Sequence, residues 1–122
     1  MSYAIKFEIK GTPETGYVLF KTHEEIGRNK LASFQQLVGG LIEPVVYIDG
    51  AVLLMNENAL HDGSIAWRVP LELERIVPEH FKVKGHKVLV GPVILVADDG
   101  QEYHGFQTIE LADKALSDAA VC

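Results

Sequence analysis

Apolar and polar residues alternate at the amino terminus of the chain. From Tyr3 to Ile9 every second residue is large and apolar, and this period of two places one face of a strand inward. Turn-forming residues follow at 11–16, and Tyr17 to Phe20 returns as a second β-rich run. The pattern predicts an antiparallel hairpin with a longer loop.

The spacing of apolar residues then changes to that of a helix. The apolar positions that recur at helical spacing are Leu31, Phe34, Leu37 and Val38. They predict a helix near 30–38. Gly39 and Gly40 end it, because glycine adopts the left-handed conformation of a helix carboxyl cap without a steric penalty.

A second hairpin is predicted in the middle of the chain. Asp49 and Gly50 separate two apolar runs between Val45 and Met55, and Asp-Gly in that position is a strong hairpin signal. A polar loop occupies 56–63. The next segment, 64–69, fits either one helical turn or an extended strand.

The last third of the chain starts with a buried strand and ends with a helix. Val88 to Ala97 is rich in β-branched residues, and Pro92 predicts a break within this run. A turn at 98–100 precedes a strand predicted over 102–109. The residues that give the final helix its apolar face are Leu111, Ala112, Ala115, Leu116 and Ala119.

These elements predict an α+β fold. Strands gather into hairpins and do not alternate with long crossover helices, so we expect an antiparallel sheet built from hairpins, with one central helix and a carboxyl-terminal amphipathic helix. The chain has 122 residues, a length suited to one hydrophobic core. We therefore predict a single domain over 1–122.

Charge and composition narrow the classes of partner. The net charge is −6, and basic residues do not cluster with aromatic ones, so we expect no direct nucleic-acid binding. The longest apolar run, Val93 to Ala97, is too short to cross a bilayer, and the amino terminus lacks a signal-peptide pattern. Cys122 is the only cysteine, which excludes an intrachain disulfide. We expect a cytoplasmic protein without a membrane contact.

The reactive residues do not form a known catalytic pattern. The five histidines lack the tight spacing of zinc ligands, so we expect no metal and no cofactor. Neither a serine elbow nor a cysteine with a positioned histidine is present. The sequence therefore favours a protein that is not an enzyme.

Two features of the middle segment have both a functional and a structural interpretation. Polar groups concentrate at 56–58 and at His61-Asp62, as in a ligand-binding or acid–base loop, and equally as in a solvated loop. Trp67 next to Arg68 fits stacking or an interface anchor, and it fits core packing as well.

The segment from Phe34 to Glu43, followed by an apolar hairpin and Asn56-Glu57, resembles a family of unknown function found widely in bacteriophages and plasmids. The family pattern is Gln-x-x-Val-Gly-Gly-x-Ile-Glu and then Asn-Glu. The resemblance implies a small accessory protein encoded on a mobile element, of the kind that binds host proteins or sequesters small ligands. It brings no catalytic residues.

We therefore expect a non-enzymatic binding protein of phage or plasmid origin that engages a host protein or sequesters a small anionic ligand. The predicted binding residues are Gln36, Glu43, Asn56, Glu57, His61, Trp67 and Arg68. One alternative is a small enzyme that uses Glu57 and His61 for proton transfer. Another is a structural module that forms a homo-oligomer through hairpin edges or the final helix.

Overall fold

The computed structural model describes residues 1–121, and it opens with a long hairpin. Strands β1 (Ser2–Thr12) and β2 (Gly16–Ile26) pair antiparallel along their whole length. The predicted hairpin is confirmed, but β2 continues well beyond Phe20. Its second half is polar and was missed because it lacks an apolar alternation. Pairing with β1 keeps that half extended. The prediction for Cys122 lies outside the described residues.

Helix α1 (Lys30–Val38) has the predicted bounds. The side chain of Asn29 caps its amino terminus by accepting a hydrogen bond from the amide of Ala32 at 3.1 Å. Gly39 ends the helix in the left-handed conformation, at φ 83°, and donates its amide to the carbonyl of Gln35 at 2.8 Å. This is the carboxyl cap that the glycine pair predicts.

The middle of the chain folds as the second predicted hairpin and then a short strand. Strands β3 (Ile42–Ile48) and β4 (Ala51–Asn56) pair antiparallel around the Asp-Gly turn. The segment that fitted either a helical turn or a strand is extended, as β5 (Ala66–Arg68). Helix α2 (Leu71–Glu74) is a single turn.

The remaining elements complete two sheets. After a 3₁₀ turn come β6 (Lys82–Val83), β7 (His86–Val90), β8 (Val93–Asp98), β9 (Tyr103–His104) and α3 (Ile109–Val121). The chain breaks between β7 and β8 at Gly91-Pro92, as predicted. The strand predicted over 102–109 is only two residues long, because the chain then leaves β8 to bridge with Tyr3 through Phe106.

The larger sheet has the strand order β2-β1-β8-β4-β3, and β9 also pairs with β8. Each of these pairs is antiparallel. A smaller sheet has the order β5-β7-β6. The α+β fold with an antiparallel sheet of hairpins, a central helix and a carboxyl-terminal helix is thereby confirmed.

Each face of the larger sheet contributes to a hydrophobic core. On one face Ile5, Phe7 and Leu95 pack with residues of the smaller sheet, α2 and α3. On the other face Ile94 and Val96 pack with residues of α1 and the end of β2. Among the helices that the structure describes, none has the length and apolar character needed to cross a bilayer.

Asn56 joins the end of α1 to the exit of β4. Its side chain is buried, donates from Nδ2 to the carbonyl of Val38 at 3.4 Å and accepts the amide of Asn58 at 2.8 Å. Gly40 lies against it, so that a Cβ at position 40 would be 2.7 Å from Nδ2. The glycine and the asparagine of the sequence pattern are therefore structural partners.

We predict that Gly40→Ala lowers the free energy of unfolding by about 1–3 kcal/mol, because the added methyl group overlaps the Asn56 side chain, which is held by two hydrogen bonds. Urea denaturation followed by circular dichroism measures the change.

The control for this prediction is Gly40→Ala in an Asn56→Ala background. The alanine side chain at position 56 leaves room for the added methyl group, so Gly40→Ala lowers the free energy of unfolding by less in this background. An equal loss of free energy in both backgrounds would contradict the explanation that the methyl group overlaps the Asn56 side chain.

Candidate functional site

The seven residues predicted to bind a partner are divided between surface and core. The side chains of Gln36, Glu43, Glu57, His61 and Arg68 are exposed. Asn56 and Trp67 are buried, and the indole Nε1 of Trp67 donates to the carbonyl of Gly91 at 2.8 Å. Trp67 thus has the core-packing role. The part that these residues play in binding stays a prediction.

Glu57 and His61, the pair considered for proton transfer, lie in the turns that follow β4. The amide of Glu57 donates to the carbonyl of Leu41, and that of His61 donates to the carbonyl of Asn58, both at 2.9 Å. Their side chains share no hydrogen bond or ion pair within the described residues. In the same loop, a hydrogen bond from the hydroxyl of Ser64 lowers the pKa of Asp62 below its ordinary value.

An open groove of about 950 Å³ lies between α3 and the end of the larger sheet. The sheet side consists of the β3–β4 turn, the end of β8 and the segment after β9. Its apolar lining includes Ile48, Ala97, Phe106, Leu111 and Ala115. Leu111 is 46% exposed, which is much for a leucine on a helix that also contributes to the core. The groove thus offers apolar surface to a ligand.

Lys30 and His104, which both line this groove, belong to a chain of three hydrogen-bonded polar side chains. The Nζ of Lys30 is 3.0 Å from Nδ1 of His104, and Nε2 of His104 is 2.8 Å from the carboxylate of Asp99. A lysine ammonium can only donate, so Nδ1 accepts and Nε2 carries the proton. Asp99 therefore orients the imidazole, and the imidazole positions the ammonium.

The carboxylate of Asp99 is itself fixed by the backbone. It accepts the amides of Glu102 at 2.7 Å and Gln101 at 2.8 Å. These two bonds, followed by the bond from His104, lower the pKa of Asp99 to about 2. The carboxylate is therefore ionised at neutral pH and accepts the hydrogen bond from the imidazole of His104.

Lys30 has one carboxylate partner in addition to His104. Oε2 of Glu102 is 3.5 Å from Nζ, and the Glu102 side chain is 67% exposed. An ammonium has three donors, and the hydrogen bond to His104 uses one of them.

A second feature lies beside this cluster on the opposite face of the sheet. The hydroxyls of Tyr47 and Tyr103 are 3.2 Å apart, next to a small cavity of about 270 Å³. The hydrogen bond to Tyr47, with partial burial, raises the pKa of Tyr103 to about 12. Tyr103 therefore stays protonated and neutral at neutral pH.

The sequence did not reveal the groove because its parts are distant in the chain. Lys30 is the first residue of α1 and His104 lies 74 positions later, and each looks like an ordinary surface residue in the sequence. The one sequence feature that pointed to this site was the predicted turn at Asp98-Asp99-Gly100. In the structure the carboxylate of Asp99 accepts the backbone amides of Gln101 and Glu102. Within the described part of the chain, no group of three or more His, Cys, Asp or Glu side chains is arranged to hold a metal ion.

A family model described as a domain of unknown function, DUF3846, matches residues 14–116. The chain belongs to this family. The DUF3846 match includes the Gly40–Asn56 contact and the Lys30, Asp99 and His104 cluster. No curated protein and no solved structure is significantly similar to the chain.

We predict that the Asp99 carboxyl group titrates near pH 2 in an NMR pH series, well below its ordinary value of 3.8. In His104→Ala the pKa rises but stays below 3.8, because the two backbone donors remain. The lowered pKa means that Asp99 adds stability above pH 3.8, which is lost as the pH falls toward about 2.

An ordinary pKa for Asp99 in the unmodified protein would contradict this arrangement. Asp118→Asn is the matched control, since it removes a carboxylate of α3 and leaves the backbone donors to Asp99 in place.

Proposed function

We propose that this DUF3846 protein is a non-enzymatic binding protein that sequesters a small amphiphilic anion in the groove beside α3. The observation that carries the proposal is that the Lys30 ammonium, positioned by His104 and Asp99, lines a groove whose exposed surface is mostly apolar. The ligand class that fits has an apolar body and a carboxylate, phosphate or sulfonate head.

The size of the groove supports a small-molecule ligand. Its volume of about 950 Å³ is within the range of roughly 300–1,000 Å³ typical of such sites. Most of its exposed lining surface is apolar, and its charged side chains are those of Lys30, Lys114, Asp49 and Asp118. This division matches a ligand with one charged end, since the apolar body leaves water while the head keeps polar partners.

An anionic head is favoured although the chain has a net charge of −6. The carboxylate nearest to the Lys30 ammonium, that of Glu102, is 3.5 Å away and largely exposed. Exposed ion pairs contribute about 0–1 kcal/mol, so a ligand anion displaces Glu102 at little cost. Both ring nitrogens of His104 are already hydrogen-bonded, which favours a positioning role over proton transfer.

The origin and setting of the protein belong to the same proposal. The resemblance of residues 34–43 and Asn56-Glu57 to a pattern of bacteriophage and plasmid proteins supports an accessory protein that acts in the cytoplasm of a host cell. Sequestration of a host metabolite or signal by such a protein requires affinity and no turnover. Engagement of a host protein through the segment 56–68 stays a prediction.

We predict that octanoate binds and that heptylammonium, which has the same seven-carbon apolar body with the opposite charge, binds at least ~10-fold more weakly, a difference of about 1.4 kcal/mol. Isothermal titration calorimetry at neutral pH measures both affinities. Lys30→Gln removes the difference, because it removes the charge and keeps a polar side chain. Leu111→Glu weakens the binding of octanoate by inserting a carboxylate into the apolar lining.

The matched control is Lys10→Gln, which removes a lysine of the β1–β2 hairpin that does not line the groove. It leaves both affinities unchanged. Equal binding of the two probes by the unmodified protein, or an equal loss in Lys10→Gln and Lys30→Gln, would contradict the proposed site.

A further inference from the structure

Strand β2 forms an unprotected edge of the larger sheet. It is 11 residues long, pairs with β1 without a register shift, and has no strand on its other side among the described residues. The opposite edge strand, β3, is shorter and is interrupted by Pro44 and a register shift between Pro44 and Val46. Prolines and irregularities of this kind protect edges from pairing, and β2 lacks them.

The hydrogen-bonding groups that β2 presents at this edge follow from the pairing of β1. Tyr3 exchanges two 2.7 Å hydrogen bonds with Phe106, on the side of β1 that faces away from β2. Hydrogen-bonded and non-hydrogen-bonded pairs alternate in an antiparallel ladder, so the pair of Tyr3 with Glu25 is a non-hydrogen-bonded one. The residues of β2 whose amides and carbonyls point outward are then Tyr17, Leu19, Lys21, His23 and Glu25.

The two halves of β2 differ in character. From Gly16 to Phe20 no residue is charged, and Val18 and Phe20 are 57% and 44% exposed. From Lys21 to Glu25 four of five residues are charged or titratable. An uncharged edge segment next to a charged one keeps like charges from facing each other when the second strand runs in the opposite direction.

We propose that two copies of the chain pair antiparallel through β2, about a two-fold axis at Phe20, to form one continuous sheet. In this register Leu19 lies opposite Lys21 of the second copy, and Tyr17 lies opposite His23. These pairs contain outward-pointing amides and carbonyls, so they form the new ladder.

The same register brings the exposed apolar side chains together. Phe20 lies opposite Phe20 of the second copy and Val18 lies opposite Thr22, in non-hydrogen-bonded pairs, where side chains approach most closely. Aromatic pairs and pairs of β-branched residues are favourable across strands.

Charge disfavours registers whose axis lies closer to the carboxyl end of β2. Moving the axis to Lys21 places two lysines opposite each other, and moving it to Thr22 places Lys21 opposite His23 and Phe20 opposite Glu24. With the axis at Phe20, the charged half of each strand faces the uncharged half of the other, and the two Phe20 rings face each other. A foreign strand satisfies the backbone groups equally well, but the pairing of Phe20 with itself and the separation of like charges favour a second copy of this chain.

Sedimentation equilibrium over a dilution series tests the proposal, with the unmodified protein compared with Phe20→Lys. We expect a monomer–dimer equilibrium that Phe20→Lys weakens at least ~10-fold, because two lysines then face each other at the axis. The matched control is Leu71→Lys, which replaces an 89% exposed leucine of α2 and leaves the equilibrium unchanged. A monomer at every concentration, or an equal effect of both lysine variants, would overturn the proposal.

Cysteine cross-linking tests the register in a Cys122→Ser background. Phe20→Cys places two thiols directly opposite each other, and mild oxidation gives a covalent dimer. Val18→Cys places them about four residues apart along the strands, roughly 13 Å and beyond disulfide reach. Cross-linking of Val18→Cys in preference to Phe20→Cys, measured by non-reducing electrophoresis, would show that the register is wrong.

Discussion

The fold depends on the burial of both faces of β8. Val93, Ile94, Leu95 and Val96 are fully buried, and their side chains alternate between the two cores. Burial of each such side chain contributes about 1.5–3 kcal/mol. Because β8 pairs with β1, β4 and β9, the two long hairpins are brought together by this one strand.

The groove is a consequence of how β8 ends. At its last residues the pairing with β1 has stopped, and β9 takes the place beside it. The chain then bridges to Tyr3 before α3 begins, and the groove lies between α3 and this end of the sheet. His104 lies on the added strand and meets Lys30 from the other layer at this end. The way β8 ends thereby brings the apolar lining of the groove and the Lys30 ammonium together.

The local pattern predicted most of the elements, because each signal involved neighbouring residues. Gly39 predicted the end of α1, and Asp49-Gly50 predicted the second hairpin. The second half of β2 was not predicted, since its residues are polar and are kept extended by pairing with β1. Trp67 could not be assigned from the sequence, because its burial depends on β7 and on a hydrogen bond to Gly91.

The candidate site was harder to predict than the fold for the same reason. Asn56 stood out in the sequence as a polar residue at the start of a loop, but its neighbours Val38 and Gly40 give it a structural role. Lys30 comes from the start of α1, whereas Asp99 and His104 belong to the turn and second strand of the β8–β9 hairpin, and no local pattern connects these two segments. Sequence patterns reveal contacts along a helix or a turn, whereas this cluster depends on the packing of layers.

The most direct test of the account is to locate the ligand by amide NMR during a titration with octanoate. We predict that the largest shift changes fall on Lys30, His104 and Phe106 and on the exposed face of α3, and that they are smaller at the same octanoate concentration in Lys30→Gln and Leu111→Glu. Changes confined to the loop between Asn56 and Arg68, with the groove signals unmoved, would contradict the central claim and place the binding surface at that loop.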